Sequence, residues 1–359
     1  MKPVTSSAVR HAASVERPSR PGPARIRDVL ERTGILLVLG VLVVVFALRE
    51  PAFLNVDNLF SILQAVSIVA LLGIGVTITL AAGGFDLSVG SVAATAQMAA
   101  SYVLVVWHGS AWAAVLACVV LGVAAGLFNG LLITRLRVPD QLATLGTLFL
   151  LAGLQLIPTG GRSLATGGRS LATGSVLPDG TDATGVFPDA FLALGRLRVF
   201  DVVPLPVLLL AAVTVLACIT MEATRWGRVI YAIGGNETAA RLAGAPAARY
   251  RVAAYVVSGA IASLGGVLIA ARVGRGDVSA GHSLLLDAVA AALIGYAVWG
   301  AKRPNVFGTV VGAVFVGVLL NGLTMLNAPY YMQDFIKGVL LVLALAFTFG
   351  IGRRTDARA

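Results

Sequence analysis

The sequence predicts an all-α, polytopic membrane protein with about ten transmembrane helices. Three observations carry that reading. Of 359 residues, 58% are hydrophobic and only 12% are charged, and the mean hydropathy is +0.90, well above that of a water-soluble fold. The apolar residues fall in ten runs, each near the roughly 20 residues that cross a hydrocarbon layer. The basic residues cluster between those runs, so the net charge of +10 sets topology rather than marking a nucleic-acid partner.

Residues 1–33 are polar, broken by Pro3, Pro18, Pro21 and Pro23, and rich in arginine; they read as a cytoplasmic tail. Gly34 to Leu48 is the first apolar run. No small-residue cleavage motif follows it, so it reads as a retained helix rather than a signal peptide. Further spans are expected at Asn58 to Ala82, Leu87 to Trp107, Ala111 to Thr134, Gln141 to Ile157 and Val202 to Met221. The remaining spans are expected at Val252 to Arg272, Leu284 to Gly300, Val306 to Leu326 and Met332 to Gly350. The transmembrane domain thus covers 34–350, and 351–359 form a second cytoplasmic tail. With the N-terminus inside, 19 of the 27 Lys and Arg fall on the cytoplasmic side, which fits an even number of spans with both termini inside.

Two connections are longer than the rest. Residues 158–200 form an extracytoplasmic loop rich in Gly and Pro, with GGRSLAT written twice, at Gly160 to Thr166 and Gly167 to Thr173. A docking loop is one reading; a duplication in a tolerant loop is the simpler one. Residues 222–251 lie on the cytoplasmic side and are too polar to span. Within them, Thr238 to Ala243 is expected as a short helix that begins after Gly234, Gly235 and Asn236 and is closed by Gly244 and Pro246. A short helix across the cytoplasmic face has the shape needed to receive force from a separate motor. A basic connector held to anionic lipid is the plainer alternative.

Several chemistries are excluded. Cys118 and Cys218 sit inside apolar runs and read as small buried hydrophobes. His11, His108 and His282 are too scattered for a metal site, and no Ser-His-Asp or Cys-His arrangement is present. No G-x-x-x-x-G-K-[ST] occurs, so the chain holds no nucleotide with a P-loop of its own. It reads as a non-enzyme that takes no cofactor.

Polar side chains inside spans are costly unless they face an interior or a partner. Gln64, Gln97, Asn129, Thr144 and Asn321 are therefore the candidates for a substrate path, with interhelical hydrogen bonding as the competing role. Asp86 and Ser88 follow a Gly-Gly-Phe turn between two spans and read as helix-junction residues, with capping of the third helix the simpler role. Asp287 is expected at the start of the eighth helix with a similar purpose, and Asp334 with Lys337 as a local ion pair. Asn129-Gly130-Leu131 is echoed by Asn321-Gly322-Leu323 on a helix of opposite sense, which suggests an inverted repeat. Gly73, Gly75, Gly122, Gly126, Gly265, Gly266, Gly308 and Gly312 suit close helix contacts.

Four motifs stand in register: GGFDLSVGSVAA at Gly83 to Ala94, NGLLITRLRVPDQLATLGT at Asn129 to Thr147, GRVIYAIGGNETAARLAGAP at Gly227 to Pro246, and LDAVAAALIG at Leu286 to Gly295 with the later Asn321-Gly-Leu. Together they resemble the ribose/xylose/arabinose-type permease family of bacterial ABC importers, from about Asn55 to Phe347. The resemblance implies a type II-like permease in the cytoplasmic (inner) membrane, moving a pentose or related sugar. It implies as partners a second permease, usually an identical copy, two ATP-hydrolysing subunits that bind the ATP, and a periplasmic sugar-binding protein. It also places Gly234, Gly235, Asn236, Glu237, Arg241 and Gly244 against the ATPase as the coupling loop. The sequence departs from relatives at Gly295-Tyr296 with Ala301 to Asn305, and at Asp140-Gln141 after Pro139. An ion-coupled secondary transporter and a membrane-embedded enzyme are the competing classes; the first needs ionisable groups buried mid-span, and the second a clustered catalytic set.

Overall fold

A computed structural model describes residues 23–165, 177–178, 180, 183–297 and 303–350. Residues 1–22, the second GGRSLAT copy, Gly300 to Lys302 and the tail 351–359 lie outside them. The described chain is mostly helical, in the order α1 (Pro23–Arg49), α2 (Val56–Ala81), α3 (Val89–Val105), α4 (Ala111–Thr134), α5 (Asp140–Leu154), α6 (Asp189–Arg196) and α7 (Leu205–Cys218). Then come α8 (Arg225–Gly235), α9 (Glu237–Leu242), α10 (Ala247–Val273), α11 (Ala280–Ala297), α12 (Val306–Met325) and α13 (Tyr330–Gly350). Two minimal antiparallel ladders complete it: β1 (Leu164–Ala165) with β4 (Arg275–Gly276), and β2 (Arg198–Val199) with β3 (Val203–Pro204).

Six helices among the described residues are long and apolar enough to cross a membrane: α2, α4, α10, α12, α5 extended to Thr159 and α7 extended through a π turn to Ala223. Gly34–Arg49, Val89–Val105 and Ala280–Tyr296 are shorter apolar helices. The layering follows from where each helix is apolar. α2 is buried at every position from Val66 to Thr79, and α3 from Val89 to Met98. A helix apolar on all sides belongs in an interior. α10, α11 and α12 pack around this pair. α1, α4, α5 and α7 keep outward apolar stripes, including Leu37 and Val44, Trp112 and Leu116, Phe149 and Leu150, and Leu216. Such stripes suit a lipid or subunit neighbour rather than water.

Close approach replaces bulky interdigitation where α4 meets α10. A Cβ on Gly126 would overlap the carbonyl of Tyr255, and one on Gly259 would overlap the carbonyl of Gly122. Gly312 on α12 sits in the same way against Ala291 of α11. Gly322 leaves the space into which the Phe46 ring from α1 is driven.

The expected spans correspond to helices, with physical reasons for the shifts. α7 begins at Leu205 because Val203–Pro204 is taken by the ladder with Arg198–Val199. The expected loop 158–200 is more ordered than its composition suggested, since it contains α6, whose Gly195 lies hard against Ala271 and Arg272 of α10. Asp287 does not start a helix. α11 begins at Ala280, so Asp287 lies about two turns inside it and accepts the Lys337 ammonium of α13 at 3.0 Å. Asp334 is a longer, second partner for Lys337 at 3.8 Å. The ion pair therefore ties two helices together more than it acts locally.

Gly126→Leu is expected to wedge α4 from α10 and destabilise the protein by about 1–3 kcal/mol, as overpacking does. Gly146→Leu, where no heavy atom lies within 4 Å of the missing Cβ, leaves it unaffected. Thermal unfolding in detergent compares the two; equal melting temperatures would contradict the close-packing account.

Candidate functional site: a polar spine beneath α8 and α9

The most polar described segment is also the most deliberately terminated. Thr224 caps α8, its hydroxyl accepting from the Trp226 and Gly227 amides at 3.2 and 3.4 Å. Asn236 caps α9, accepting from the Ala239 amide at 2.9 Å. Both use the short-side-chain oxygen that orphan N-terminal amides require. Gly244, at φ +85, turns the chain toward Pro246 and α10, a conformation that favours glycine. α9 occupies 237–242 against an expected 238–243. α8 was not read from the sequence, although Arg225 and Arg228 facing out and Ile230 and Ile233 facing in are a helical pattern. α9 buries Ala240 and presents Arg241 and Leu242 outward, Leu242 being 86% exposed.

The end of α8 rests on the α2–α3 junction. A Cβ on Gly234 would overlap the Ala81 carbonyl, and Gly83, at φ +76, leaves only 3.1 Å between its own missing Cβ and Gly234 Cα. Gly235 faces open space. Beyond these glycines the junction buries Asp86 to 1% exposure. One carboxylate oxygen accepts from the Ser88 amide at 2.9 Å and the Ser88 hydroxyl at 2.6 Å. The other accepts from Ser258 of α10 at 2.8 Å. Asp86 is thus a tie between junction and α10 rather than a cap on α3, whose N-cap position is held by Ser88. Burial pushes its carboxyl above the usual value, against the Ser88 and Ser258 hydrogen bonds that favour the carboxylate.

The chain of bonds continues inward. Asn129 of α4 donates to the Ser88 hydroxyl at 2.9 Å and accepts from Thr147 of α5 at 2.5 Å. Thr144, fully buried, donates to the carbonyls of Asp140 at 2.9 Å and Phe85 at 3.1 Å. Asp86, Ser88, Asn129 and Thr144 therefore converge on one junction, although they come from three separate stretches of sequence.

Outward, the spine becomes ionic. Arg251, on the second turn of α10, holds both carboxylate oxygens of Asp140 at 2.6 and 2.5 Å and reaches Glu237 of α9 at 3.0 Å. Glu237 also takes Arg241 at 2.5 Å. Tyr255 donates to Asp140 at 2.9 Å, and a Cβ on Gly84 would meet both that hydroxyl and that carboxylate. α9, α5, α10 and the junction thus share one charged cluster. The side chains of Arg251 and Asp140 are 15% and 18% exposed; Arg251 Nη2 bonds both Asp140 oxygens while Nη1 takes Glu237. Asp140 and Arg251 were missed as site residues; the signal was opposite charge near the N-terminal ends of two helices expected on one side. A second bracket holds α8: Tyr231 donates to the Pro304 carbonyl at 2.9 Å and to Glu222 at 3.2 Å, while Arg303 pairs with Glu222 at 2.7 Å. Burial, then the Glu222 charge, push the Tyr231 phenol up.

The other candidates lie elsewhere. Asn321 exchanges amide bonds of 2.9 and 3.0 Å with Asn58, tying α12 to α2 at the opposite end of the bundle. Gln64 is half-buried on α2. Gln97, 1% exposed, donates to the Arg275 carbonyl at 2.9 Å. Among the described residues, no group of three or more His, Cys, Asp and Glu is placed to hold a metal ion.

Residues 58–345 match the family model described as branched-chain amino acid transport system / permease component. The chain belongs to that permease family. Ribose import permease protein RbsC of Escherichia coli (strain K12) is 35% identical over 311 residues, covering 86% of this chain and 91% of that protein. RbsC of Bacillus subtilis (strain 168) is 31% identical over 322 residues, covering 88% and 92%. L-arabinose transport system permease protein AraH of Escherichia coli (strain K12) is 30% identical over 329 residues, covering 89% and 90%. The resemblance read from the four motifs is therefore correct. These permeases are transport proteins, not enzymes.

Arg251→Met and Asp140→Asn are each expected to lower stability by about 1–3 kcal/mol, less than for a fully buried pair because both groups are partly solvated. The double variant should lose less than the sum by about 1–2 kcal/mol, the signature of a direct pair. Thermal unfolding of the four proteins closes the cycle; additive losses would mean that the two groups do not act together.

Proposed function

We propose that the chain is the membrane permease subunit of an ATP-binding-cassette importer that carries a pentose or related monosaccharide across a bacterial inner membrane. The observation that carries this reading is the α8–α9 segment. It is an amphipathic, capped surface element, wired through Glu237, Arg251 and Asp140 into the junction where α2, α3, α5 and α10 meet. A partner that moved α9 would move that junction. The exposed Leu242 beside Arg241 offers such a partner an apolar knob next to a charge. The names of the relatives, ribose and arabinose permeases, support the substrate class.

In this reading the chain crosses the membrane ten times. The six long apolar helices are joined by the three shorter ones and by α13, and both termini are cytoplasmic. The α2–α3 junction, the α4–α5 turn and α8–α9 then share the cytoplasmic end, and the ladders β1–β4 and β2–β3 the outer one. A type II-like arrangement with an inverted repeat accords with Asn129 and Asn321 serving opposite ends of the bundle. The outward stripes of α4, α5 and α7 leave room for a second copy of the chain. Two ATPase subunits that bind the ATP dock on α9 and its flanks (Gly234, Gly235, Asn236, Glu237, Arg241 and Gly244), and a periplasmic binding protein delivers the sugar at the outer end. We assign Asn129, Thr144 and Asn321 to holding helices together and keep Gln97 for the path.

Arg241→Glu, which repels Glu237 and reverses the outward charge, and Ala240→Pro, which breaks α9, are expected to reduce copurification of the ATPase subunit at least severalfold while membrane insertion stays intact. Wild-type recovery of the ATPase with both variants would remove the coupling assignment.

A further inference from the structure

The end of the bundle opposite α8 and α9 contains a second polar cluster. Gln97 of α3 donates to the Arg275 carbonyl at 2.9 Å, and Gln155, just past α5, donates to the Val278 carbonyl at 3.0 Å. Two side-chain amides thereby hold the segment 275–278 from below. Each amide has a second face. Gln97 Oε1 and Gln155 Oε1 are buried without a hydrogen-bond partner, and so is the Thr159 hydroxyl. The three residues are 1%, 6% and 0% exposed. They lie in one region of the fold: Gln97 and Gln155 bond carbonyls three residues apart, and Thr159 stands shortly before β1, which pairs with the same 275–276 stretch. Thr95, on the same helix as Gln97, already bonds the carbonyl of Leu151 one turn before Gln155.

Buried polar atoms in proteins are paired almost without exception. Three orphans in one neighbourhood mark a place where something else completes the bonding. Two amide oxygens accept, and one hydroxyl donates or accepts. That set suits a neutral, hydroxyl-rich solute and lacks a charge for an ion. The Arg275 guanidinium is exposed and pairs with Asp277 at 3.2 Å. Asp277 in turn accepts from the Ser279 amide at 2.9 Å and hydroxyl at 2.8 Å.

Among the described residues, the strand pairing at the cluster is short, and Leu164 packs with Leu177, Ala183 and Phe187 in one apolar group against α3. β1 and β4 pair over two residues each, Leu164 opposite Gly276 and Ala165 opposite Arg275. Gly276 is pressed onto α3, where a Cβ would lie 2.7 Å from the Ser101 hydroxyl. A ladder this short is at the low end of local stability and opens without unfolding the helices beneath it.

We propose that the β1–β4 ladder is a latch closed over a hydroxyl-binding subsite made by Gln97, Gln155 and Thr159, and that it parts to admit the sugar. This rests on the sugar-importer reading above, and its test separates the two. Opposed residues of an antiparallel pair have Cα atoms about 4.5–5.5 Å apart, within disulfide reach. The full importer, with its ATPase and binding protein, is prepared with Ala165→Cys and Arg275→Cys together. Uptake of radiolabelled ribose, xylose and arabinose into proteoliposomes is measured on the same sample oxidised and then reduced. Oxidation is expected to cut uptake at least tenfold and reduction to restore it. Undiminished uptake in the cross-linked form overturns the latch. Failure of the unmodified importer to take up any of the three sugars overturns the sugar reading and, with it, the subsite.

The subsite has its own readout. Gln155→Leu and Thr159→Val keep bulk and remove the hydrogen-bonding groups. Each is expected to lower maximal uptake by about threefold to tenfold, the effect of one lost hydrogen bond, while ATP hydrolysis stimulated by the binding protein is retained. A purely structural role lowers both rates in proportion, and that result, or unchanged uptake where the groups hold only buried water, overturns the subsite.

Discussion

A carboxylate that cannot reach water dictates much of this architecture. Asp86 is surrounded by helices, and the bundle must supply everything its oxygens need. Ser88 and Ser258 do so, which fixes the direction of the chain between α2 and α3 and brings α10 against the junction. Ser88 is held in turn by Asn129, and Asn129 is bonded to Thr147. One buried carboxyl thus links five helices. The glycines on either side follow from the same requirement, because the turn that presents Asp86 leaves no room for a side chain at Gly83 or Gly84. The energy involved is that of satisfied rather than abundant hydrogen bonds: the gain is modest when all partners are present, and the loss large when one is missing.

The ionic half of the spine obeys a different economy. Arg251 is shared among carboxylates of two other helices, and its planar guanidinium holds Asp140 by both oxygens while touching Glu237 with another nitrogen. A fork of this kind resists shear better than a lysine would. α9, α5 and α10 are thereby tied through one guanidinium. Glu237 holds both arginines at once, Arg241 on one carboxylate oxygen and Arg251 on the other.

Hydropathy made the apolar helices legible, six of which are long and apolar enough among the described residues to cross a membrane. The glycine-rich junction, the short helix before Gly244 and the polar residues Asn129, Thr144 and Asn321, read as substrate-path candidates, were visible because polar and small residues stand out against an apolar background. Less visible was anything decided by partners distant in sequence. Asp140 and Arg251 are separated by 111 residues, and no periodicity links them. Asp287 was misplaced because α11 starts in the polar stretch Ala280 to Ser283, which hydropathy trims from the span. α6 and the β1–β4 ladder escaped notice for the opposite reason: they are short, and their order comes from the surface they lie on rather than from their own composition.

The pair between Lys337 and Asp287 has a consequence for biogenesis. α13 brings an ammonium group into the apolar layer, and α11 a carboxylate at the same level; each is a poor guest in lipid by itself. With Asp287 already in place, Lys337 finds its counter-charge as α13 enters, and the two penalties cancel. Until α13 is in place, Asp287 on α11 lacks the Lys337 counter-charge that it has in the folded chain. The same ion pair that ties two helices in the finished protein thus reports that the bundle is complete.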